Sequence, residues 1–331
     1  MKRTLLISGK RANFTTLVLD VDKKELSIVA DYPGPFNVSW VEPSSSHGNV
    51  DCLIGLSEGD DSGLLYTFEI DHAQKVCKIT SQKSTTGAPA HFLGIVIHTR
   101  WVVITLRDRS ALALSTYYGG SVALYPIWIT ENAGILFTND PRTEVLPEFP
   151  YKVLGHEKLM YVIGELSHTV VAFDLSSSPA EDIQPIDGFA PNVVPPSVDP
   201  GHQLMMDSAE ICIHPNIPNV LYVSNRWERH IAELEPHLEN VPKELPPGDA
   251  IAIILLSDDG KKVQDTRHVR TNLDTIRGMR LSEDGSYVVV CGQEGGGVEV
   301  YGIGGDRGEV WNLVASLNES LESGIKHAVW L

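Results

Sequence analysis

Cysteine side chains can bind metal ions and take part in thiol chemistry, but their spacing in this chain indicates neither. The four cysteines are widely scattered, with no Cys-x-x-Cys pair and no histidine at the spacing of a metal ligand. We interpret them as buried, reduced apolar residues. They are Cys52, Cys77, Cys212 and Cys291.

Two further patterns resemble chemical motifs but predict turns instead. The glycine run in "GQEGGG", residues 292–297, has no helix after it, and a phosphate-binding loop needs one. The acidic pairs in "SDDG" and "SEDG", residues 257–260 and 282–285, stand between apolar runs, as hairpin turns do. The chemistry therefore has to come from residues that the fold brings together.

The fold is indicated by a phrase that recurs along the chain. Six segments end in the same alternation of apolar residues: "FTTLVLDV" at 21, "GLLYTFEI" at 70, "GGSVALYPI" at 127, "SHTVVAFDL" at 175, "DAIAIILL" at 256 and "GGVEVYGI" at 303. Most intervals between their ends are about 48 residues, the length of a four-stranded propeller blade. Helical periodicity is almost absent, with residues 231–245 the one stretch that suits a turn or two of helix. The sequence predicts an all-β protein, a β-propeller in a single domain over residues 1–331.

Each blade should bury the same faces against its neighbours, which explains why the phrase recurs. Runs such as "YVVVCG" and "LYVSN" should be strands buried between blades, and the alternating run after them the next strand. The innermost strands should precede these phrases, near residues 91, 210 and 277 and at the C-terminal "GIKHAVWL". We expect this last strand to pair with the N-terminal segment and close the ring.

The charge of the chain limits its partners. Its formal net charge of -17 argues against nucleic acid and against an anionic membrane surface, although a few arginines could still form a basic pocket. The opening "MKRTLLISGK" has too few apolar residues for a secretory signal, so we expect the cytoplasm.

Five phrases in the same order resemble the seven-bladed propeller lactonase family, which includes bacterial 6-phosphogluconolactonase of the propeller type and the fungal carboxy-cis,cis-muconate cyclase. They are "APAHF", "STYYGGSVALYPI", "GELSHTVVAFDL", "SAEICIHP…LYVSNR" and "IRGMRLSEDGSYVVVCGQ". Two departures stand out. This chain has six blade signatures instead of seven, with residues 128–140 where relatives carry a further blade, and residues 94–107 and 227–248 look inserted.

The resemblance carries the family's site over residue by residue. It implies Glu165 of "GEL", Arg226 of "SNR" and Arg142 of "DPRT" as catalytic residues. It gives a weaker assignment to three substrate-binding residues, His91, Arg277 and Gln293. It implies neither a metal nor another cofactor.

These residue types suit the opening of a lactone. A carboxylate can activate water as a general base, and guanidinium groups can bind a carboxylate or phosphate and stabilise an oxyanion. The resemblance therefore implies a lactone hydrolase that acts on a small anionic lactone or carboxylate. Two alternatives stay open: a lactonising isomerase of the muconate cyclase type, and an inactive propeller that serves as a binding scaffold. For Glu165 and Arg226 themselves, the alternative to a catalytic role is a structural ion pair between neighbouring blades.

Overall fold

A computed structural model describes most of the chain. The described residues are 1–59, 63–84, 94–97, 100–103, 111–116, 121–129, 135–137, 142–145, 150–156, 159–174, 185–234, 237, 244–318 and 320–331. Between residues 94 and 156 the description covers the backbone and not the side chains.

Nearly all regular structure in the described residues is β-strand, arranged in seven sheets. Sheet A contains β1 (Lys2–Gly9), β2 (Asn13–Asp20) and β3 (Glu25–Pro33), with the C-terminal strand β25 (Ile325–Trp330) beside β1. Sheet B contains β4 (Val38–His47), β5 (Val50–Ser57), β6 (Leu64–Asp71) and β7 (Val76–Ser84) in that order. Sheet C is the pair β8 (Gly94–Ile97) and β9 (Arg100–Val103).

The other four sheets follow in chain order. Sheet D contains β10 (Ala111–Thr116), β11 (Ser121–Ile129), β12 (Ile135–Phe137) and β13 (Arg142–Val145). Sheet E contains β14 (Pro150–His156), β15 (Leu159–Gly164) and β16 (Val170–Asp174). Sheet F contains β17 (Asp207–Ile213), β18 (Val220–Arg226), β19 (Ala250–Leu256) and β20 (Val263–Arg270). Sheet G contains β21 (Asp274–Leu281), β22 (Tyr287–Gly295), β23 (Val298–Gly304) and β24 (Val310–Leu317).

In the described residues, helix is confined to short pieces. Two 3₁₀ turns cover Pro200–Met205 and Glu228–His230, and one turn of α-helix, α1, covers Ile231–Leu234. The prediction of a helical turn at the start of residues 231–245 is therefore confirmed.

The chain divides into two compact units. Unit 1 is Met1–Val96, Leu273–Ile303 and Trp311–Leu331, and it contains sheets A and B and most of sheet G. Unit 2 is Ile97–Asn272 and Gly304–Val310, and it contains sheets D, E and F. A single domain over residues 1–331 stays a prediction.

Apolar side chains fill the space between successive sheets within each unit. In unit 2, one cluster joins sheets E and F and includes Tyr161, Ala172, Ile211, Leu221 and Ile254. In unit 1, sheet A contributes to two clusters, one shared with sheet G and the other with sheet B. Burial between sheets is what the recurring phrase predicts, and it is the main stabilising term of such a fold.

Burial falls from the second strand to the outer strand, and the predicted alternation of the third strand is found in β6 but not in β19. All seven residues of β18 and all seven of β19 are buried. The fourth strand β7 is exposed at eight of its nine positions. The third strand β6 alternates, as expected for a strand with one covered face.

The recurring phrase marks strands in six of the seven sheets. Five signatures are the third strand of a sheet, namely β2, β6, β16, β19 and β23, and the sixth is β11, which lies beside β10. Sheet C has no signature and lies within residues 94–107, the stretch that looked inserted. The number of signatures is therefore one lower than the number of sheets in the described residues.

The predicted first strands are confirmed at three places. β17, β21 and β25 are each the first strand of a sheet, and Leu6 of β1 pairs with Val329 of β25, so the two chain ends share one sheet. The fourth predicted inner strand, near His91, lies largely outside the described residues.

Candidate functional site

Glu165 and Arg226 form a buried ion pair in unit 2. Glu165 directly follows β15, and Arg226 is the last residue of β18, so each lies at the end of the second strand of its sheet. Nη2 of Arg226 donates to Oε1 of Glu165. Glu165 is 8% exposed and Arg226 5% exposed. The structure therefore brings together two of the three residues predicted to be catalytic.

The beginning of β17 completes the surroundings of this pair. Nη2 of Arg226 also donates to the carbonyl oxygen of Ser208 at 3.2 Å, and Oδ2 of Asp207 lies 3.8 Å away. The amide of Ser208 donates to the carbonyl oxygen of Glu165 at 2.9 Å. Arg226 thus has two carboxylates within reach, and backbone contacts of β17 hold the group in place.

His168 supports the same strand ends from the following turn. Its Nε2 lies 2.8 Å from the carbonyl oxygen of Gln203, and its Nδ1 lies 3.0 Å from Oγ of Ser208. Because a carbonyl oxygen can only accept, a neutral His168 carries its proton on Nε2 and accepts from Ser208 through Nδ1. Its backbone φ of 56° is left-handed, which a non-glycine residue seldom adopts.

Asp207, Ser208 and His168 were not predicted to be site residues. Ser208 and His168 stand within the phrases "SAEICIHP" and "GELSH", so the sequence contained a signal, namely their place in phrases that carry the resemblance to the family. Asp207 directly precedes the first of these phrases.

The other catalytic prediction is located only by its backbone. Arg142 begins β13, where it pairs with Leu124 of β11 in sheet D. Its side chain and the whole of His91 lie outside the described residues.

Arg277 lies in a second charged cluster, in unit 1. Its Nη2 donates to Oε1 of Glu58 at 2.5 Å, and Nζ of Lys326 donates to Oε2 of the same carboxylate at 2.6 Å. Burial, followed by the charge of Arg277, lowers the pKa of the Lys326 ammonium. Neither Glu58 nor Lys326 was predicted to be a site residue.

Gln293 does not join this cluster through its side chain. Its Nε2 donates to Oε1 of the neighbouring Glu294 at 2.8 Å, and its carbonyl oxygen accepts from the amide of Gly324 at 2.6 Å. These contacts are those of a residue at the end of a strand, and substrate binding by Gln293 stays a prediction.

The cysteines differ in burial. Cys212 and Cys291 are buried, as predicted, whereas Cys52 and Cys77 are half-buried. All four are free thiols. Burial raises the pKa of the Cys77 thiol to about 11 and that of the Cys291 thiol still further.

Two kinds of feature are absent from the described residues. No group of three or more His, Cys, Asp or Glu side chains is arranged to hold a metal ion in this part of the chain. None of the described helices is long and apolar enough to cross a membrane.

Comparison with solved structures shows the same fold over the whole chain. A protein from Lactobacillus plantarum covers 100% of both chains at 13% identity with a TM-score of 0.66. A Bacteroides fragilis protein with a provisional 6-phosphogluconolactonase assignment has a TM-score of 0.63 and 14% identity, over 100% of this chain and 98% of its own. A Bacteroides uniformis protein with the same provisional assignment has a TM-score of 0.62 and 14% identity, over 100% of this chain and 99% of its own.

Comparison of sequences gives the family. Among curated proteins, none matches this chain. Residues 135–321, more than half of the chain, match the family described as "Lactonase, 7-bladed beta-propeller". This segment includes Glu165 and Arg226 together with all of sheets E, F and G. The chain therefore belongs to the lactonase family of seven-bladed β-propellers.

Proposed function

We propose that this protein hydrolyses a small lactone that carries an anionic group, in the manner expected of a 6-phosphogluconolactonase. The observation that carries the proposal is the buried pair of Glu165 and Arg226 at the ends of two neighbouring second strands. Membership of the lactonase family and the provisional assignments of two structural relatives support it.

Glu165 is the general base in this proposal. It takes a proton from a water molecule whose oxygen bonds to the lactone carbonyl carbon, and the carbonyl oxygen becomes negatively charged. When the tetrahedral intermediate collapses, the bond between this carbon and the ring oxygen breaks. The departing alkoxide takes the proton from Glu165, which restores the carboxylate and leaves a hydroxy acid.

Arg226 is the electrophilic partner. A guanidinium group stays protonated at any pH at which the protein is folded, and its planar donors match the geometry of an oxyanion. Because Arg226 is nearly buried, its charge is weakly screened and acts strongly on a neighbouring oxyanion. Asp207, at 3.8 Å, would orient the guanidinium instead of taking part in proton transfer.

One further predicted residue binds the substrate in this proposal. Arg142, in the same unit as Glu165 and Arg226, would hold the anionic group away from the reacting carbonyl. Substrate binding by His91, Arg277 and Gln293 stays a prediction. The step as written needs no metal or other cofactor, since water, a base and an oxyanion partner complete its balance of atoms.

The test is hydrolysis of 6-phosphogluconolactone above its spontaneous rate. We expect turnover by the wild type, a loss of about a hundredfold or more in kcat for Glu165→Gln, and a loss of similar size for Arg226→Lys. Asp174→Asn is the matched control. Asp174 is the last residue of β16, at the end of this strand that is farther along the chain from Glu165, and the variant breaks its ion pair with Lys261.

Three outcomes would contradict the proposal. A wild type without turnover above background favours the scaffold alternative. A wild type that cyclises a carboxy-muconate but leaves lactones intact favours the lactonising isomerase. Equal losses in Asp174→Asn and Glu165→Gln would mean that Glu165 is a structural residue.

A further inference from the structure

Ser208 contacts both members of the Glu165 and Arg226 pair. Its amide donates to the carbonyl oxygen of Glu165 at 2.9 Å, and its carbonyl oxygen accepts from Nη2 of Arg226 at 3.2 Å. Ser208 is fully buried. A shift of this one residue therefore moves Glu165 and the guanidinium of Arg226 relative to each other.

The regular pairing of β17 with β18 stops at Ser208. Ser208 pairs with Asn225, and the pair that follows is Ile211 with Val223, so that two residues of β17 oppose one residue of β18. A bulge of this kind interrupts the ladder of hydrogen bonds between two strands. Strand pairing therefore holds Ser208 less firmly than it holds a residue inside a regular ladder.

The side chain of Ser208 supplies a further hold. Its Oγ lies 3.0 Å from Nδ1 of His168 and 3.4 Å from Oδ1 of Asn225. Nδ2 of Asn225 donates to the carbonyl oxygen of Val193 at 2.8 Å, which orients this amide with its oxygen toward Ser208. A hydroxyl has one proton to donate, and the shorter contact is the one with His168.

The backbone conformation of His168 is one that a turn alone would not favour. Its φ of 56° is left-handed, a region that glycine and asparagine adopt at lower cost. The His168 amide donates to the carbonyl oxygen of Gly164 at 3.2 Å, and the His168 carbonyl oxygen accepts from the amide of Val193 at 2.8 Å. Backbone strain is concentrated at functional sites, and here it directs a buried imidazole at Ser208.

We propose that His168 is a positioning residue for the candidate site: it holds Ser208, and through Ser208 it sets the geometry of Glu165 and Arg226. The inference rests on the proposed function for the roles of Glu165 and Arg226, and it adds two residues to which that reaction assigns no part. Positioning matters because a misplacement of about 1 Å can cost about a hundredfold in rate.

Two variants of His168 separate the two contacts of its imidazole. In His168→Asn, the side-chain oxygen can replace Nδ1 and accept from Ser208, and asparagine tolerates a left-handed φ. In His168→Gln, the side-chain nitrogen can replace Nε2 and donate to Gln203, but the contact with Ser208 is lost. We expect kcat for lactone hydrolysis to stay within about threefold of the wild type in His168→Asn and to fall about tenfold or more in His168→Gln. KM should change little in either variant, because the contact positions reacting groups and does not bind the substrate.

Ser208→Ala removes the same contact and leaves the backbone of His168 as it is. Its loss in kcat should match that of His168→Gln, and the double variant His168→Gln/Ser208→Ala should lose no more than either single variant. This variant also carries the test if His168→Gln does not fold.

Tyr161→Phe is the matched control for Ser208→Ala. It too removes a buried hydroxyl that donates a hydrogen bond, in this case to the carbonyl oxygen of Gly260 at 2.8 Å. Tyr161 belongs to the apolar cluster between sheets E and F, and we expect its variant to have the kcat of the wild type.

A second readout does not depend on turnover. The energetic coupling between Glu165 and Arg226, obtained from urea unfolding of their single and double variants, reports on their relative placement. We expect this coupling to fall by about half or more when the cycle is repeated in the Ser208→Ala background. In the Tyr161→Phe background it should equal that of the wild type.

The outcomes distinguish this inference from the proposed function. If the wild type hydrolyses lactones and Ser208→Ala has the same kcat, the proposed function stands and this inference alone is overturned. A loss in His168→Asn as large as that in His168→Gln also overturns it, because the contact with Ser208 would then not be the cause. If the wild type hydrolyses no lactone, the proposed function fails, and the coupling decides: a value that Ser208→Ala leaves unchanged rules out positioning by His168.

Discussion

The guanidinium of Arg226 donates to the carboxylate of Glu165 although 61 residues separate them in the chain, and both side chains are buried. The two residues meet because β15 and β18, the second strands of sheets E and F, end at the same side of these two sheets. A carboxylate and a guanidinium in this arrangement can take part in catalysis. The energetic coupling between them can be measured from the free energy of unfolding of single and double variants.

Removal of Arg226 alone should be costly. Arg226→Ala removes the guanidinium that pairs with the buried Glu165, and we expect a loss of about 3–5 kcal/mol in the free energy of unfolding. The double variant Glu165→Gln/Arg226→Ala should recover a large part of this loss, because neither charge of the pair remains, and Glu165→Gln is the second single variant of the cycle. Urea unfolding of the single and double variants gives the coupling between the two residues.

The control for this cycle is Arg267→Ala, in the same unit. Arg267 pairs with Asp265, and both side chains are about half exposed. The urea midpoint of this variant should stay close to that of the wild type. If Arg226→Ala unfolds at the same urea concentration as Arg267→Ala, Glu165 and Arg226 are not energetically coupled.

Gly260 should be the most sensitive position of the "SDDG" turn. Its φ of +71° is left-handed, and a Cβ atom there would lie 2.5 Å from Oη of Tyr161 and 2.7 Å from Cδ1 of Leu159. Gly260→Ala therefore combines backbone strain with a clash, and it also disturbs the hydrogen bond from Tyr161 to the Gly260 carbonyl oxygen. We expect a loss of about 2–4 kcal/mol in the free energy of unfolding.

A substitution at Gly188 allows the backbone strain to be measured without the clash. It has a similar φ of +74°, but nothing lies within 4 Å of the place a Cβ atom would take. Gly188→Ala should therefore cost only the backbone strain, about 1 kcal/mol. Equal losses for the two variants in urea unfolding would mean that Tyr161 and Leu159 yield to the added methyl group.

Local patterns in the sequence were enough to predict the strands and turns. The alternation ending at residues 70 and 303 gives β6 and β23, and "SDDG" and "SEDG" are turns closed by Asp259 and Asp284. These features depend on residues a few positions apart. Their physical cause, one covered face or a left-handed glycine, can be recognised in a short window.

The contacts between sheets could be predicted only in part. The pairing of Glu165 with Arg226 was predicted because the resemblance placed both in one site. The pairing of Glu58 with Arg277 and Lys326 was not predicted. It depends on two β-bulges, in which Arg277 of β21 and Lys326 of β25 are the extra residues. A bulge adds one residue to a strand without changing the apolar pattern enough to be recognised.

The thiol of Cys77 should react more slowly than other thiols of similar solvent exposure. Burial raises its pKa to about 11, so at pH 8 only about a thousandth of it is thiolate, the reactive form. We expect its labelling by a disulfide reagent in the folded protein to accelerate about tenfold per pH unit between pH 8 and 10. The assay compares Cys77→Ser with the wild type, and the difference between their labelling curves isolates Cys77. A rate that levels off below pH 9 would contradict the prediction.

Asp284 should make stability depend on pH. Its hydrogen bond from Arg3 at 2.5 Å, followed by that from Ser282, lowers the pKa of the Asp284 carboxyl well below its ordinary value. A lowered folded-state pKa stabilises the protein above the unfolded value, about 3.9, and this stabilisation is lost as the pH falls toward the folded value. Because the Asp284 side chain is 48% exposed, solvent screening limits the effect to less than about 1 kcal/mol.

The variant that tests this is Asp284→Asn, which keeps the shape of the side chain and removes its charge. Its deficit in the free energy of unfolding, measured with urea, should be constant between pH 7 and 5 and smaller at pH 2.5. Glu283→Gln removes the same charge one residue away, where none of the described residues forms an ion pair with it. This control should show no such deficit at pH 7. Lowering the pH to 2.5 begins to remove the charge of Asp284. If the deficit of Asp284→Asn is equally large at pH 2.5, the effect comes from the geometry of the turn and not from this charge.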